Sequence, residues 1–141
     1  MKIRCLGGVE TVTGSKYLVS TDSTQLLIDC GLFQGYKVLR ERNRQPLDLN
    51  IKDIDAVLIS HAHLDHSGYI PVLYNQGYRG PVYTHPATKT LCSILLADSG
   101  HLQEEDARYF RHHKIGAHSN PEPLYTRADA IKSLSLFKDA E

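Results

Sequence analysis

The chain has no Trp, one Met, three Phe and three Cys in 141 residues, and its charge is balanced, with 16 Lys and Arg against 16 Asp and Glu. Each scarcity excludes something. An odd number of scattered cysteines (Cys5, Cys30, Cys92) does not make a disulfide scaffold and suits a reducing, cytoplasmic setting. A formal charge of zero removes the broadly basic surface that is the simplest route to nucleic-acid binding, leaving only local patches. No apolar run reaches the roughly 18 residues of a membrane helix, and the opening MKIRCLGGVE lacks the apolar stretch of a signal peptide, so no membrane partner is expected. What is abundant is histidine, eight in all.

The composition, 41% hydrophobic and 23% charged, is that of a folded domain, and the length is that of one domain. Residues 2–6, 16–20 (KYLVS) and 25–29 (QLLID) read as strands, the last two joined by the polar turn TDST into a hairpin that leaves Asp29 at its end. Residues 33–49 lose periodicity and read as a basic, structureless connection carrying Lys37, Arg40, Arg42 and Arg44. Residues 56–60 (AVLIS) form a near-continuous apolar run, as in a strand covered on both faces. Helices are expected over 68–75, 87–98 and 102–113, the last two separated by Ser99-Gly100, and a short strand over 82–84. Residues 117–123 read as a linker, and Thr126 with Asp129 as a capping box opening a final helix that runs to about Phe137. The order predicts an α/β fold with helices covering a sheet.

The chemistry concentrates in Ser60-His61-Ala62-His63-Leu64-Asp65-His66, directly after the buried strand. In a chain of this composition the pattern H-x-H-x-D-H arises by chance about once in several hundred cases. His61 and His63, two apart on an extended backbone, face the same way and can share one ion. Asp65 and His66, where the chain turns into the next helix, can face a second. Imidazole and carboxylate donors suit zinc (Zn2+) ahead of Mn2+ or Fe2+. Two ions about 3.5–4 Å apart can clamp the oxygens of a phosphodiester.

The motif resembles that of the metallo-β-lactamase fold, an αββα sandwich. GSKYLV (14–19), LLIDCG with FQG (26–31, 33–35), SHAHLDHSGYIP (60–71), RGPVY (79–83) and DSGHLQEE (98–105) resemble its RNA-processing branch, β-CASP. That resemblance implies a zinc-dependent ribonuclease acting through a metal-activated hydroxide. It assigns His61 and His63 to one zinc and Asp65 and His66 to the other, Asp65 thus being the catalytic carboxylate. Asp29 matches a position that supports the metal loop by hydrogen bonds; an ordinary strand-end turn residue is the other reading. The family's next His, its bridging Asp and the β-CASP insert do not follow in this sequence. Residues 1–141 are therefore expected to be the N-terminal half of the sandwich, binding metal weakly and inactive alone, and self-associating through an exposed sheet edge. RNA is the expected partner, with a glyoxalase II-like thioester hydrolase and a non-catalytic RNA- or partner-binding module as the alternatives.

The remaining candidates are weaker. His85, at a strand end before Pro86, reads as a capping element rather than a ligand; His101 reads as a residue pinning two helices; His112, His113 and His118 read as a solvated face. Tyr36 and Tyr69 are candidates for stacking on bases. Cys30 and Cys92 read as inert core thiols.

Overall fold

The branched and aromatic runs pair into one six-stranded sheet. The structure is a computed structural model, and it describes residues 1–113 and 121–140. The strands are β1 (Lys2–Gly7), β2 (Lys16–Ser20), β3 (Gln25–Ile28), β4 (Ala56–Leu58), β5 (Val82–Thr84) and β6 (Phe137–Asp139). They lie side by side in sequence order, the first three antiparallel and β3 to β6 parallel. Parallel neighbours need long crossovers, and the chain supplies helices for them: α1 (Lys37–Glu41), α2 (Leu64–Ser67), α3 (Ile70–Asn75), α4 (Pro86–His113) and α5 (Arg127–Ser133).

Register sets which face is core. Leu27, Val57, Val82 and Phe137 are aligned across four strands and are buried against Ile70 and Leu73 of α3, Cys92 and Leu96 of α4 and Ala130 of α5. The adjoining row, Ile28, Leu58, Tyr83 and Lys138, points to the opposite face, where Tyr83 is 38% exposed. The described residues thus form one sheet and one helical layer, the α/β arrangement expected. None of the described helices is long and apolar enough to cross a membrane.

Several boundaries differ from the sequence reading, each for a physical reason. Strand β3 stops at Ile28 because Asp29 takes a left-handed conformation, φ 55°. Strand β4 stops at Leu58 rather than Ser60, whose backbone N–H is captured by the Asp29 carboxylate. The stretch 33–49 is not structureless: it holds α1 and a 3-10 turn, Arg42–Arg44, in which only Asn43 is buried, so no apolar period marks it. Residues 64–75 form two short helices, with Gly68 closing the first.

Residues 86–113 form one continuous helix, α4, and Ser99-Gly100 lies inside it. Gly100 is a point of close approach: a Cβ there would lie 2.7 Å from the backbone of Thr126 and Arg127. Around it, Gln103 and Tyr125 both donate to Ser99 Oγ, Leu124 N–H donates to Gln103 Oε1, and Arg127 N–H donates to Glu104 Oε2. The polar DSGHLQEE segment therefore docks α5 on α4, through Ser99, Gln103 and Glu104, while His101 faces solvent. The final helix ends at Ser133, and Phe137 opens β6, which adds a parallel strand beside β5. Most of the linker at 117–123, with Lys114 and His118, lies outside the described residues.

The capping box at Thr126 is present as expected: Thr126 N–H donates to Asp129 Oδ2 and Asp129 N–H to Thr126 Oγ1. Partial burial alone would raise the Asp129 carboxyl, but hydrogen bonds from Thr126 and Asn75 and the charge of Lys132 outweigh it and hold the group below its ordinary value. A lowered carboxyl stabilises the fold above its unfolded pKa, about 3.9, and that contribution is lost as pH falls through the lower folded value. Urea midpoints of wild type and Asp129→Asn should therefore differ near neutral pH and converge once the pH falls below the lowered folded value. A gap that persists in acid would contradict this account.

Candidate metal centre

Strands β3 and β4 run parallel, so Asp29 and the 60–66 loop leave the same edge of the sheet. The loop backbone is held from below by three N–H donors: Ser15 to Asp65 C=O at 2.9 Å, Cys30 to His66 C=O at 2.8 Å and Leu32 to Leu64 C=O at 2.8 Å. Gly31 lies directly under it, and its own N–H donates to Ser15 C=O at 3.0 Å. The loop ends as His63 caps α2, accepting the N–H groups of His66 and Ser67 at 2.9 Å.

Asp29 is the centre of the polar network. Only 5% exposed, it accepts Ser60 N–H on Oδ1 at 2.8 Å and Ser60 Oγ–H on Oδ2 at 3.0 Å. Oδ2 also accepts Ser15 Oγ–H at 3.3 Å and lies 2.7 Å from His66 Nδ1. A carboxylate can only accept, so His66 carries a proton on Nδ1, and in the neutral ring that leaves the lone pair on Nε2. Ser60 Oγ, having donated its proton to Asp29, accepts His61 Nδ1–H at 3.0 Å, which frees His61 Nε2 in the same way. One buried carboxylate thus sets the tautomers of two imidazoles, one directly and one through a hydroxyl. The left-handed backbone of Asp29, which Asp adopts more readily than most residues, aims it into this position. Asp29 is accordingly more than a strand-end turn residue.

The four motif side chains come together. The His61 and His63 rings lie 4.8 Å apart, His61 and His66 4.0 Å apart, and His66 Nε2 faces Asp65 Oδ2 at 3.5 Å. His63 is exposed and the other three are half-buried. In kind these donors, three imidazoles and a carboxylate, fit zinc. In arrangement they fit incompletely: among the described residues no three His, Cys, Asp or Glu side chains converge on one point that could hold an ion.

Two supports of this loop carry no signal in a metal motif. Ser15 contributes both its N–H and its hydroxyl, and Lys16 is 1% exposed, its ammonium donating to Gly31 C=O and lying 4.7 Å from the centroids of the Phe33 and Tyr69 rings. Burial lowers the Lys16 ammonium, partly countered by the neighbouring Cys30. Alternation with Leu18 along β2 was the available clue, since both occupy inward positions. Burial pushes the Cys30 thiol up to about 12 and raises Cys92, so both stay protonated, as inert core thiols do. Tyr69 is corrected: 1% exposed beneath Lys16, it offers no face to a base, whereas Tyr36 is exposed. His85 behaves as a cap, its Nδ1 accepting Ala87 N–H at 3.1 Å. His112 and His113 are exposed at the end of α4, where the two rings meet edge to face 5.0 Å apart.

The sequence profile of the Metallo-beta-lactamase superfamily matches residues 11–89, more than half of the chain. Over 105 residues the chain is 44% identical to Ribonuclease TTHA0252 of Thermus thermophilus, covering 74% of this chain and 24% of that protein. It is 39% identical over 103 residues to Transcription termination factor FttA of Methanosarcina mazei, covering 70% of this chain and 16% of that protein. The chain therefore spans a quarter or less of the length of these relatives. Among solved structures, a HARLDQ-motif mutant of a metallo-beta-lactamase from Cronobacter sakazakii superposes with a TM-score of 0.51 at 22% identity, covering 99% of this chain and 44% of that one, a likeness of fold.

Proposed function

Because the chain belongs to the metallo-beta-lactamase superfamily, we propose that it is the N-terminal metal-binding part of a zinc-dependent β-CASP hydrolase that cuts phosphodiester bonds in RNA. The observation that carries this reading is the Asp29 network, which orients His61 and His66 with their Nε2 lone pairs free. Relatives named as a ribonuclease and a termination factor direct the substrate towards RNA. In this reading His61 and His63 hold one ion and Asp65 and His66 the other. When bound, zinc acidifies water near neutral pH and so supplies a nucleophile for hydrolysis. Asp29 keeps two imidazoles in the ligating tautomer, and Ser15, Cys30 and Leu32 keep the loop backbone from shifting.

Two donors per ion fall short of the three that catalytic zinc usually has, so the 141-residue chain alone binds zinc weakly and does not turn over. In this reading the remaining donors come from outside residues 1–141, so the nuclease is tested on a longer product of the same reading frame. Atomic absorption after dialysis should find well under one zinc per 141-residue chain, and the longer product should cleave RNA only with metal, losing cleavage on His63→Ala. Two firmly held ions in the short chain would overturn the expectation of weak binding. Turnover of a thioester but not of RNA would replace the nuclease reading with the thioesterase one.

A further inference from the structure

The chain is neutral overall, yet four of its sixteen cations fall between residues 36 and 44, with Glu41 as the one carboxylate there. This segment leaves the sheet from the edge that carries the metal loop, and it is held at a fixed attitude. Asn43, 5% exposed, clamps the segment closed by accepting Phe33 N–H and donating to Phe33 C=O, both at 2.8 Å. Gln34 N–H donates to Thr13 Oγ1 at 2.9 Å, and Arg42 lies over the Phe33 ring, 5.6 Å from its centroid. Leu32, one residue before that clamp, donates to Leu64 of the metal motif.

On this fixed base stands an unusual display. Gly35, at φ 87°, turns the chain outward, and Tyr36 follows, 84% exposed, at the head of α1. Helix α1 buries no residue, so core packing does not explain it. Among the described residues Lys37 pairs with Glu41, at 3.8 Å in an exposed pair, the kind of pairing that contributes little and yields readily to a phosphate. Arg40 faces solvent on the same helix, and Arg44 donates to the Glu122 carbonyl at 2.6 Å, tying the far end down. An aromatic face beside solvent-facing cations is the chemistry that grips single-stranded nucleic acid, by stacking on bases and pairing with phosphates.

We propose that residues 36–44 form a ridge that binds single-stranded RNA next to the metal loop, with Tyr36 stacking on a base and Lys37 and Arg40 pairing with backbone phosphates. The choice of RNA rests on the function proposed above; the ridge itself rests on charge, exposure and the Asn43 clamp.

Fluorescence anisotropy of a short fluorescein-labelled oligouridine, titrated with the 141-residue chain over a range of salt, tests it. Tyr36→Ala should weaken binding roughly tenfold with little change in salt dependence, and Tyr36→Phe should bind as wild type. Lys37→Gln with Arg40→Gln should lower the slope of log K against log salt by about 1.4, near 0.7 for each phosphate left without its cation. Lys138→Gln, an exposed cation on β6, should leave binding unchanged. Variants of the ridge that bind like wild type, or a wild-type chain that does not bind the probe, would overturn the ridge. Metal-dependent cleavage by the longer product is read separately. Cleavage without an effect of the ridge variants sinks the ridge alone, and ridge-dependent binding without cleavage sinks the nuclease reading alone.

Discussion

Gly31→Ala should destabilise the protein by about 3 kcal/mol or more, through overpacking against backbone that cannot yield. A Cβ built on Gly31 would lie 1.6 Å from the Asp65 carbonyl oxygen, 2.0 Å from its carbon and 2.5 Å from His66 N. These are backbone atoms of the metal loop itself, already bonded to Ser15 and Cys30 from below. Relief requires moving Asp65 and His66, so the metal donors are displaced along with the lost stability. Gly77→Ala is the matched control. Gly77 sits at φ 102° with open space around it, so its cost is backbone strain alone, about 1 kcal/mol. Urea denaturation of the two variants measures the difference. Equal losses, or unshifted Asp65 and His66 amide resonances in Gly31→Ala, would sink the steric account.

The second large effect is expected at Asp29, and it should appear in metal binding more than in folding. Asn tolerates the left-handed backbone and matches Asp in size, so Asp29→Asn should remain folded. It should nonetheless lose about 10- to 100-fold in zinc affinity, the usual cost of removing a carboxylate behind a ligating His. The reason is the proton on His66. The amide's NH2 group, placed at Oδ2, donates where the carboxylate accepted, so His66 Nδ1 must accept in turn and the proton moves to Nε2, the outward nitrogen. Ring nitrogen chemical shifts of His66 in the metal-free protein report this tautomer directly, independently of metal loading. A variant still protonated on Nδ1, or one binding zinc as wild type does, would contradict the mechanism. Asp29→Ala should be worse for folding, because the Ser60 N–H and two serine hydroxyls then lose a shared acceptor at a cost of about 1–3 kcal/mol for each group left buried.

Legibility of the fold followed the strength of local signals. The hairpin of β2 and β3, the capping box at Thr126 and the buried strand before the motif were readable, because branched residues, turn residues and caps act over a few positions. The continuous α4 was not. Ser99-Gly100 carries a helix-stop signal, but α5 lies against Gly100, and close packing there outweighs the roughly 1 kcal/mol that a helical Gly costs. Phe137 reads as the end of a helix, whereas it opens β6, because a three-residue strand has no period of its own and exists only by pairing with β5. Tyr69 and Tyr36 look alike in sequence; burial beneath Lys16 separates them.

The sequence by itself determined the donors: three imidazoles and a carboxylate after an apolar strand, a choice of residue types that no packing need explains. The tertiary structure decided how they are held. Asp29 lies 31 residues before Ser60 and 37 before His66, and Ser15 lies 14 before Asp29. Only the parallel pairing of β3 with β4, and the antiparallel pairing of β2 with β3, brings these positions to one edge. Hydrogen bonds act over about 3 Å and carry no trace along the chain, so a ligand can be read from its own side chain, whereas its support is visible only once the sheet has formed.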